Sequence, residues 1–164
     1  MIVMVDVHLQ ESVPLPQQQA FDVFVDQMDV WWPRRGVFPY SFAPETTRPL
    51  HIRFDGRDGG RYYETFADGS EYVIGLISVW NPPVELAYSW RDPNWEGSTD
   101  IRLRFAPVDE GTRVTYTQDG FKSAGVPWLI PYYQIGCQQT LSAYIAHCRA
   151  LSALQELERS QEQS

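Results

Sequence analysis

The chain has 164 residues, of which 43% are hydrophobic and 21% charged. That is the balance of a globular protein, at a length that suits one domain with a substantial core. A formal net charge of −8, with only 13 Lys and Arg and a single adjacent pair at Arg34-Arg35, excludes a phosphate-binding surface and with it a nucleic-acid partner. No apolar run approaches the ~20 residues that span a bilayer. The opening MIVMVDVHLQESV has neither the basic n-region nor the cleavage site of a signal peptide, so a cytoplasmic protein without membrane insertion is expected.

The first strand is expected over residues 3–13. Val5, Val7 and Leu9 share one face and Asp6, His8 and Gln10 the other, because successive side chains of a strand alternate. Pro14 and Pro16 end it, and Pro16 suits the first turn of a helix. Ala20, Phe21, Phe24, Val25 and Met28 then recur at the spacing of a buried helical stripe. Val30, Trp31, Trp32 and Pro33 close this segment, since the residue before a proline disfavours helix.

Residues 34–49 hold Pro39, Pro44 and Pro49 together with Phe38, Tyr40 and Phe42. A loop with such large apolar side chains either covers a cavity mouth or packs as an irregular edge on the core. From Leu50 to Trp90 runs a meander of strands, expected over 50–55, 61–66, 71–80 and 84–90. It is broken at Asp58-Gly59-Gly60, Asp68-Gly69-Ser70 and Asn81-Pro82-Pro83, where the chain needs positive or fixed φ to reverse. Two more strands follow over 99–107 and 112–118. Ile101, Leu103 and Phe105 share a face opposite Arg102 and Arg104, and Val114, Tyr116 and Gln118 share another, which fixes the inward side.

Gly120 and Gly125 precede a long helix that begins near Pro127 or Pro131 and runs to about Arg159. Its stripe is Cys137, Leu141, Tyr144, Ile145, Cys148, Leu151 and Leu154, and its length of roughly 40 Å would cross a whole sheet. From Gln155 onward the chain turns polar. One domain over 1–159 with a frayed tail at 160–164 is expected.

The chemistry-bearing residues are sparse. Cys137 and Cys148 lie about 16 Å apart along the helix, too far to bridge, and read as small core residues. His147 neighbours Cys148 in sequence only, because adjacent helical residues diverge by about 100°. His8, His51 and His147 show no metal-ligand spacing, and no GxSxG, P-loop or dinucleotide-binding glycine pattern is present. No cofactor, metal or catalytic motif is therefore expected. Glu64, Glu71 and Asp119 lie on or beside strands, where one of them could face inward, although the solvated outer face is the commoner place for such carboxylates.

An ordered set of motifs resembles the START-like (SRPBCC) superfamily, in the branch related to activators of the ninety-kilodalton heat-shock protein ATPase. The set comprises VPLPQQQAFDVFVD, Trp31-Trp32-Pro33, Gly59-Gly60-Arg61-Tyr62, the Asp68-Gly69 turn, Gly75, Asn81-Pro82-Pro83, Leu86-Ala87-Tyr88-Ser89-Trp90, Gly111-Thr112-Arg113-Val114-Thr115 and Gly120-Phe121. Three features depart from that pattern: Gly136-Cys137 where relatives have Gly-Trp, Gln118 where many have His, and the aromatic, proline-rich stretch 34–49. The resemblance implies an α+β helix-grip fold. A curved seven-stranded antiparallel sheet would wrap around the C-terminal helix, with two short helices after strand 1 and a cavity between sheet and helix. Members of the superfamily include lipid and hormone carriers, polyketide cyclases, oxygenase subunits and co-chaperone (stress-response) domains, so fold does not settle function.

Aromatics reach 14%, which fits either a cavity wall or an aromatic-rich core. The first reading predicts binding of a small hydrophobic or aromatic ligand. Its wall would comprise Trp32, Tyr72, Ile74, Tyr88, Trp90, Leu103, Tyr116, Gln118, Trp128, Tyr132 and Tyr133, with Gln118 and tyrosine hydroxyls orienting a polar end. The alternatives are a co-chaperone-like protein-interaction module, whose acidic surface would meet a basic partner, and a cyclase- or hydrolase-type enzyme acting on a small apolar substrate. A homodimer through an edge strand or the long helix is compatible with all three.

Overall fold

The computed structural model describes residues 4–33 and 40–163. The predicted strand start at Val3 and the loop residues Arg34, Arg35 and Phe38 lie outside the described residues. Strand β1 (Val7–Val13) is followed by helices α1 (Gln17–Asp26) and α2 (Met28–Trp31). The predicted stripe is buried at Ala20, Phe21, Phe24, Val25 and Met28, but the helix breaks at Gln27, whose φ of −110° leaves the helical region. This break gives the two short helices.

Six strands then run in sequence: β2 (Pro49–Phe54), β3 (Arg61–Phe66), β4 (Glu71–Asn81), β5 (Glu85–Trp90), β6 (Thr99–Val108) and β7 (Gly111–Asp119). The sheet order is β1-β7-β6-β5-β4-β3-β2, and every pair is antiparallel. Only β1 leaves chain order, crossing to the far edge through the two helices. On β6, Thr99, Ile101, Leu103 and Phe105 are buried and the intervening residues to Arg104 exposed. The register sets Leu103 opposite Tyr116 and Ile101 opposite Gln118, so the predicted inward faces of β6 and β7 meet.

The sheet curves because its ladders slip. Register shifts occur between Pro49 and His51, Tyr62 and Tyr63, and Ile77 and Val79, and bulges of this kind bend and twist the strand that carries them. Gly75 sits at such a bend: a Cβ built there would lie 1.7 Å from the Ser89 carbonyl oxygen. Only a residue without a side chain permits that approach.

After β7 the chain turns at Gly120, which has a φ of +102°. The Asp6 carboxylate accepts hydrogen bonds from the Gly120 and Phe121 amides, both at 3.1 Å, tying the turn to the start of β1. A 3-10 turn (Pro127–Leu129) leads directly into helix α3 (Ile130–Glu162), so both candidate starts are used, with Pro131 in the first helical turn. The helix extends three residues past Arg159. Cys137, Leu141, Tyr144, Ile145 and Cys148 are buried, but Leu154 is exposed, which corrects the predicted stripe: it stops near Leu151 because the helix there runs beyond the sheet. The result is the seven-stranded helix-grip architecture.

Gly75→Ala is expected to destabilise the fold by about 2–3 kcal/mol or more, because the clash is with backbone that cannot rotate away. Urea denaturation with an unchanged m-value would measure it.

Candidate functional site

A cavity of about 400 Å³ lies between the concave sheet face and the first three turns of α3. Its floor is Ile74 of β4, Tyr88 and Trp90 of β5, Ile101 of β6, and Tyr116 and Gln118 of β7. Its roof is Leu129, Tyr132, Tyr133, Gly136, Cys137, Thr140 and Leu141. Phe24, Trp31 and Trp32 close one side, Ile52 and Glu64 another, and Asp92 and Trp95 the rim near the β5–β6 loop. Tyr40, Ser41 and Phe42 complete the lining. Of the proline-rich loop, Phe42 packs on Tyr72 and Trp90, with ring centroids 5.1 and 5.3 Å away, and also lines the cavity.

Of the eleven candidate wall residues, Trp32, Ile74, Tyr88, Trp90, Tyr116, Gln118, Tyr132 and Tyr133 are brought together on this wall. Three are placed elsewhere. Tyr72 lies behind Phe42 with its hydroxyl on the Arg91 carbonyl. Leu103 is fully buried in the core, beyond the reach of the cavity. Trp128 is 65% exposed, because the 3-10 turn directs it outward.

Glu64 takes the less common of its two placements. It is 4% exposed and faces inward, as strict alternation from Tyr62 to Phe66 along β3 requires. That alternation was the available signal; the assumption that a carboxylate is solvated hid it. Ser41 donates to Glu64 Oε2 at 2.6 Å and the Phe42 amide to Oε1 at 2.7 Å. The buried carboxylate thus holds this segment of the lining. Trp32 Nε1 donates to the Tyr40 carbonyl at 2.8 Å and secures the other side.

The floor carries a directed hydrogen-bond chain. Thr99 Oγ1 donates to the Trp90 carbonyl at 3.1 Å, so it accepts from Gln118 Nε2 at 2.8 Å. Gln118 Oε1 in turn accepts from the Tyr116 hydroxyl at 2.9 Å and the Cys137 thiol at 3.4 Å. Cys137 is therefore part of the cavity's polar chemistry as well as a buried residue. Burial raises its thiol pKa to about 11, against a smaller lowering by the Tyr116 hydrogen bond. Burial likewise pushes the Tyr88, Tyr116 and Tyr133 phenols upward. His147 is hydrogen-bonded to Gln27 Oε1 at 2.7 Å and takes no part in the cavity. Among the described residues no group of three His, Cys, Asp or Glu side chains is placed to hold a metal ion, and no helix is long and apolar enough to cross a membrane.

Residues 14–144 match the sequence profile of the family described as activator of Hsp90 ATPase homolog 1-like protein. A comparison with curated proteins finds no match. Among solved structures, a protein of Nitrosomonas europaea superposes with a TM-score of 0.63 at 14% identity, covering 94% of this chain and 99% of that one. The anthrahydroquino-γ-pyrone synthase Txn09 superposes at 0.56 with 28% identity, over 87% of this chain and 99% of that one. DynU16, from the dynemicin biosynthetic locus, gives 0.61 at 13% identity, over 86% of this chain and 46% of that one.

Two outcomes follow from the geometry. Glu64→Ala removes two hydrogen bonds to a charged acceptor, each contributing about 1.5–3 kcal/mol. Limited proteolysis after Tyr40 and Phe42 should therefore accelerate at least about tenfold, while the global urea midpoint shows whether the rest stays folded. With its thiol pKa raised to about 11, only about one Cys137 in a thousand is thiolate at pH 8. Alkylation by iodoacetamide, located by mass spectrometry, should rise about tenfold per pH unit between 7 and 9 with no plateau.

Proposed function

We propose that this chain, which belongs to the activator of Hsp90 ATPase homolog 1-like family, binds a small, flat aromatic molecule in the space between its sheet and its terminal helix. The observation that carries the reading is the volume itself. Protein interiors are otherwise close-packed, whereas about 400 Å³ is left open here, within the range of small-molecule sites. Ring faces surround it. Trp32, Trp90, Tyr88, Tyr116 and Tyr133 would supply apolar contact on several sides of a planar guest, and Gln118 would orient a polar end. The relative at 28% identity is named as a synthase of an anthrahydroquino-γ-pyrone, and fused aromatics of that kind are the ligand class this wall suits.

Cyclase-type chemistry on such a guest is a second reading, favoured by one observation. Glu64 brings a carboxylate into the cavity wall, where it would be within reach of a proton on a bound ring system. Under that reading Glu64→Gln retains binding and loses turnover; under simple carriage it alters neither.

A panel of two- and three-ring aromatics, read by thermal shift, tests the binding proposal. A ligand at 100 times its Kd should stabilise the protein by about 2.7 kcal/mol. Thr140→Phe, which projects a ring from α3 into the space, should remove that shift while leaving the circular dichroism spectrum unchanged. Absence of any shift across the panel with the wild-type chain overturns the proposal.

A further inference from the structure

The polar inventory of the cavity floor narrows the ligand class, resting on the binding reading above. The chain from Tyr116 through Gln118 and Thr99 to the Trp90 carbonyl uses both hydroxyl hydrogens and one amide hydrogen. No second acceptor is bonded to Gln118 Nε2 among the described residues, so its other N–H is spare. Tyr88 is the more informative group. It is 3% exposed, lines the cavity, and its hydroxyl makes no hydrogen bond among the described residues. The unpaired Tyr62 hydroxyl is fully enclosed by protein, and Tyr88's is not. On a side chain so deeply buried, the open side is the cavity side. The protein offers this phenol no partner, and a ligand atom that accepts from it would gain a hydrogen bond in a largely apolar wall.

The geometry points to an acceptor-bearing guest: Tyr88 donates to a carbonyl-type oxygen on the ring system, and this contact separates ketone- or quinone-like aromatics from plain aromatic hydrocarbons. The direction of donation follows from the neighbourhood. Tyr88 keeps its proton, because burial, and after it the neighbouring Cys137, raises its pKa. Tyr88 therefore presents a hydrogen to the cavity, whereas the Tyr116 hydrogen is taken by Gln118. The carboxylate Glu64 stands in another part of the wall, where it already accepts from Ser41 and Phe42.

Equilibrium dialysis of fluorene and 9-fluorenone, which differ by one carbonyl oxygen, against the wild-type chain and Tyr88→Phe tests the assignment. The affinity ratio of fluorenone to fluorene should fall about three- to tenfold in Tyr88→Phe, the worth of one neutral hydrogen bond, with fluorene binding undiminished. The empty Tyr88→Phe protein should melt no lower than the wild type, since it loses only an unpaired hydroxyl. An unchanged ratio, with both probes binding, overturns this inference alone. Failure of both probes to bind the wild type overturns it together with the binding reading.

Discussion

Helix α3 is held off the sheet by two clusters of aromatic rings, and the open space exists because of them. At one support, Tyr144 meets Phe24 and Trp31 with centroids 5.2 and 5.4 Å away, and its hydroxyl donates to the Ala20 carbonyl at 2.7 Å. At the other, Tyr133 meets Phe121 and Trp95 at 4.9 and 5.6 Å, and Trp90 Nε1 donates to its hydroxyl at 3.1 Å. Tyr133 and Tyr144 are about 16 Å apart along the helix axis. Between them the helix offers only Gly136, Cys137, Thr140 and Leu141 to the space, residues of modest size, of which Cys137 touches the floor at Tyr116 and Gln118. Rings at both ends and small side chains in the middle leave a gap that the sheet's curvature deepens.

The polar groups of that gap are arranged against ionisation. A thiol, three phenols and an amide sit in apolar surroundings where the charged forms are disfavoured, and the directed chain through Gln118 satisfies most of them with neutral hydrogen bonds. Glutamine suits this position better than an ionisable residue would, because it accepts from Tyr116 and Cys137 while donating to Thr99 without carrying charge. The departure from the family pattern at this residue thus fits a site that holds its protons.

Much of this is legible in the sequence, and the rest escapes it for several separate reasons. Strand alternation placed Ile101, Leu103, Phe105, Val114, Tyr116 and Gln118 inward, and their register confirms that one period-two rule fixes two strands at once. Glu64 obeys the same rule, against the commoner placement of its residue type. Leu103 and Tyr72 were grouped with the wall because facing inward is necessary for lining a cavity but does not fix depth along the strand. Trp128 depended on a 3-10 turn, whose three-residue period redirects side chains by an amount no hydrophobic pattern announces. The shape of the α3 roof required knowing which helical turns rest on rings and which do not, a property of tertiary packing alone.

The same arrangement bears on the charge of a guest. The chain carries −8 overall, and the carboxylates of Glu64 and Asp92 line the cavity. On the binding reading, an anionic guest would meet like charge in the wall, while the floor offers neutral donors with no cation to compensate it. Long-range repulsion of this kind slows association, and the desolvation of an unpaired anion in an apolar wall costs several kcal/mol more. A neutral ring system meets neither penalty. Its oxygen can exchange water for a buried phenol, and its faces exchange water for tryptophan and tyrosine. On the binding reading, selection against charge and for an acceptor would follow from one asymmetry, the Glu64 and Asp92 carboxylates in one part of the wall and the free Tyr88 hydroxyl in another.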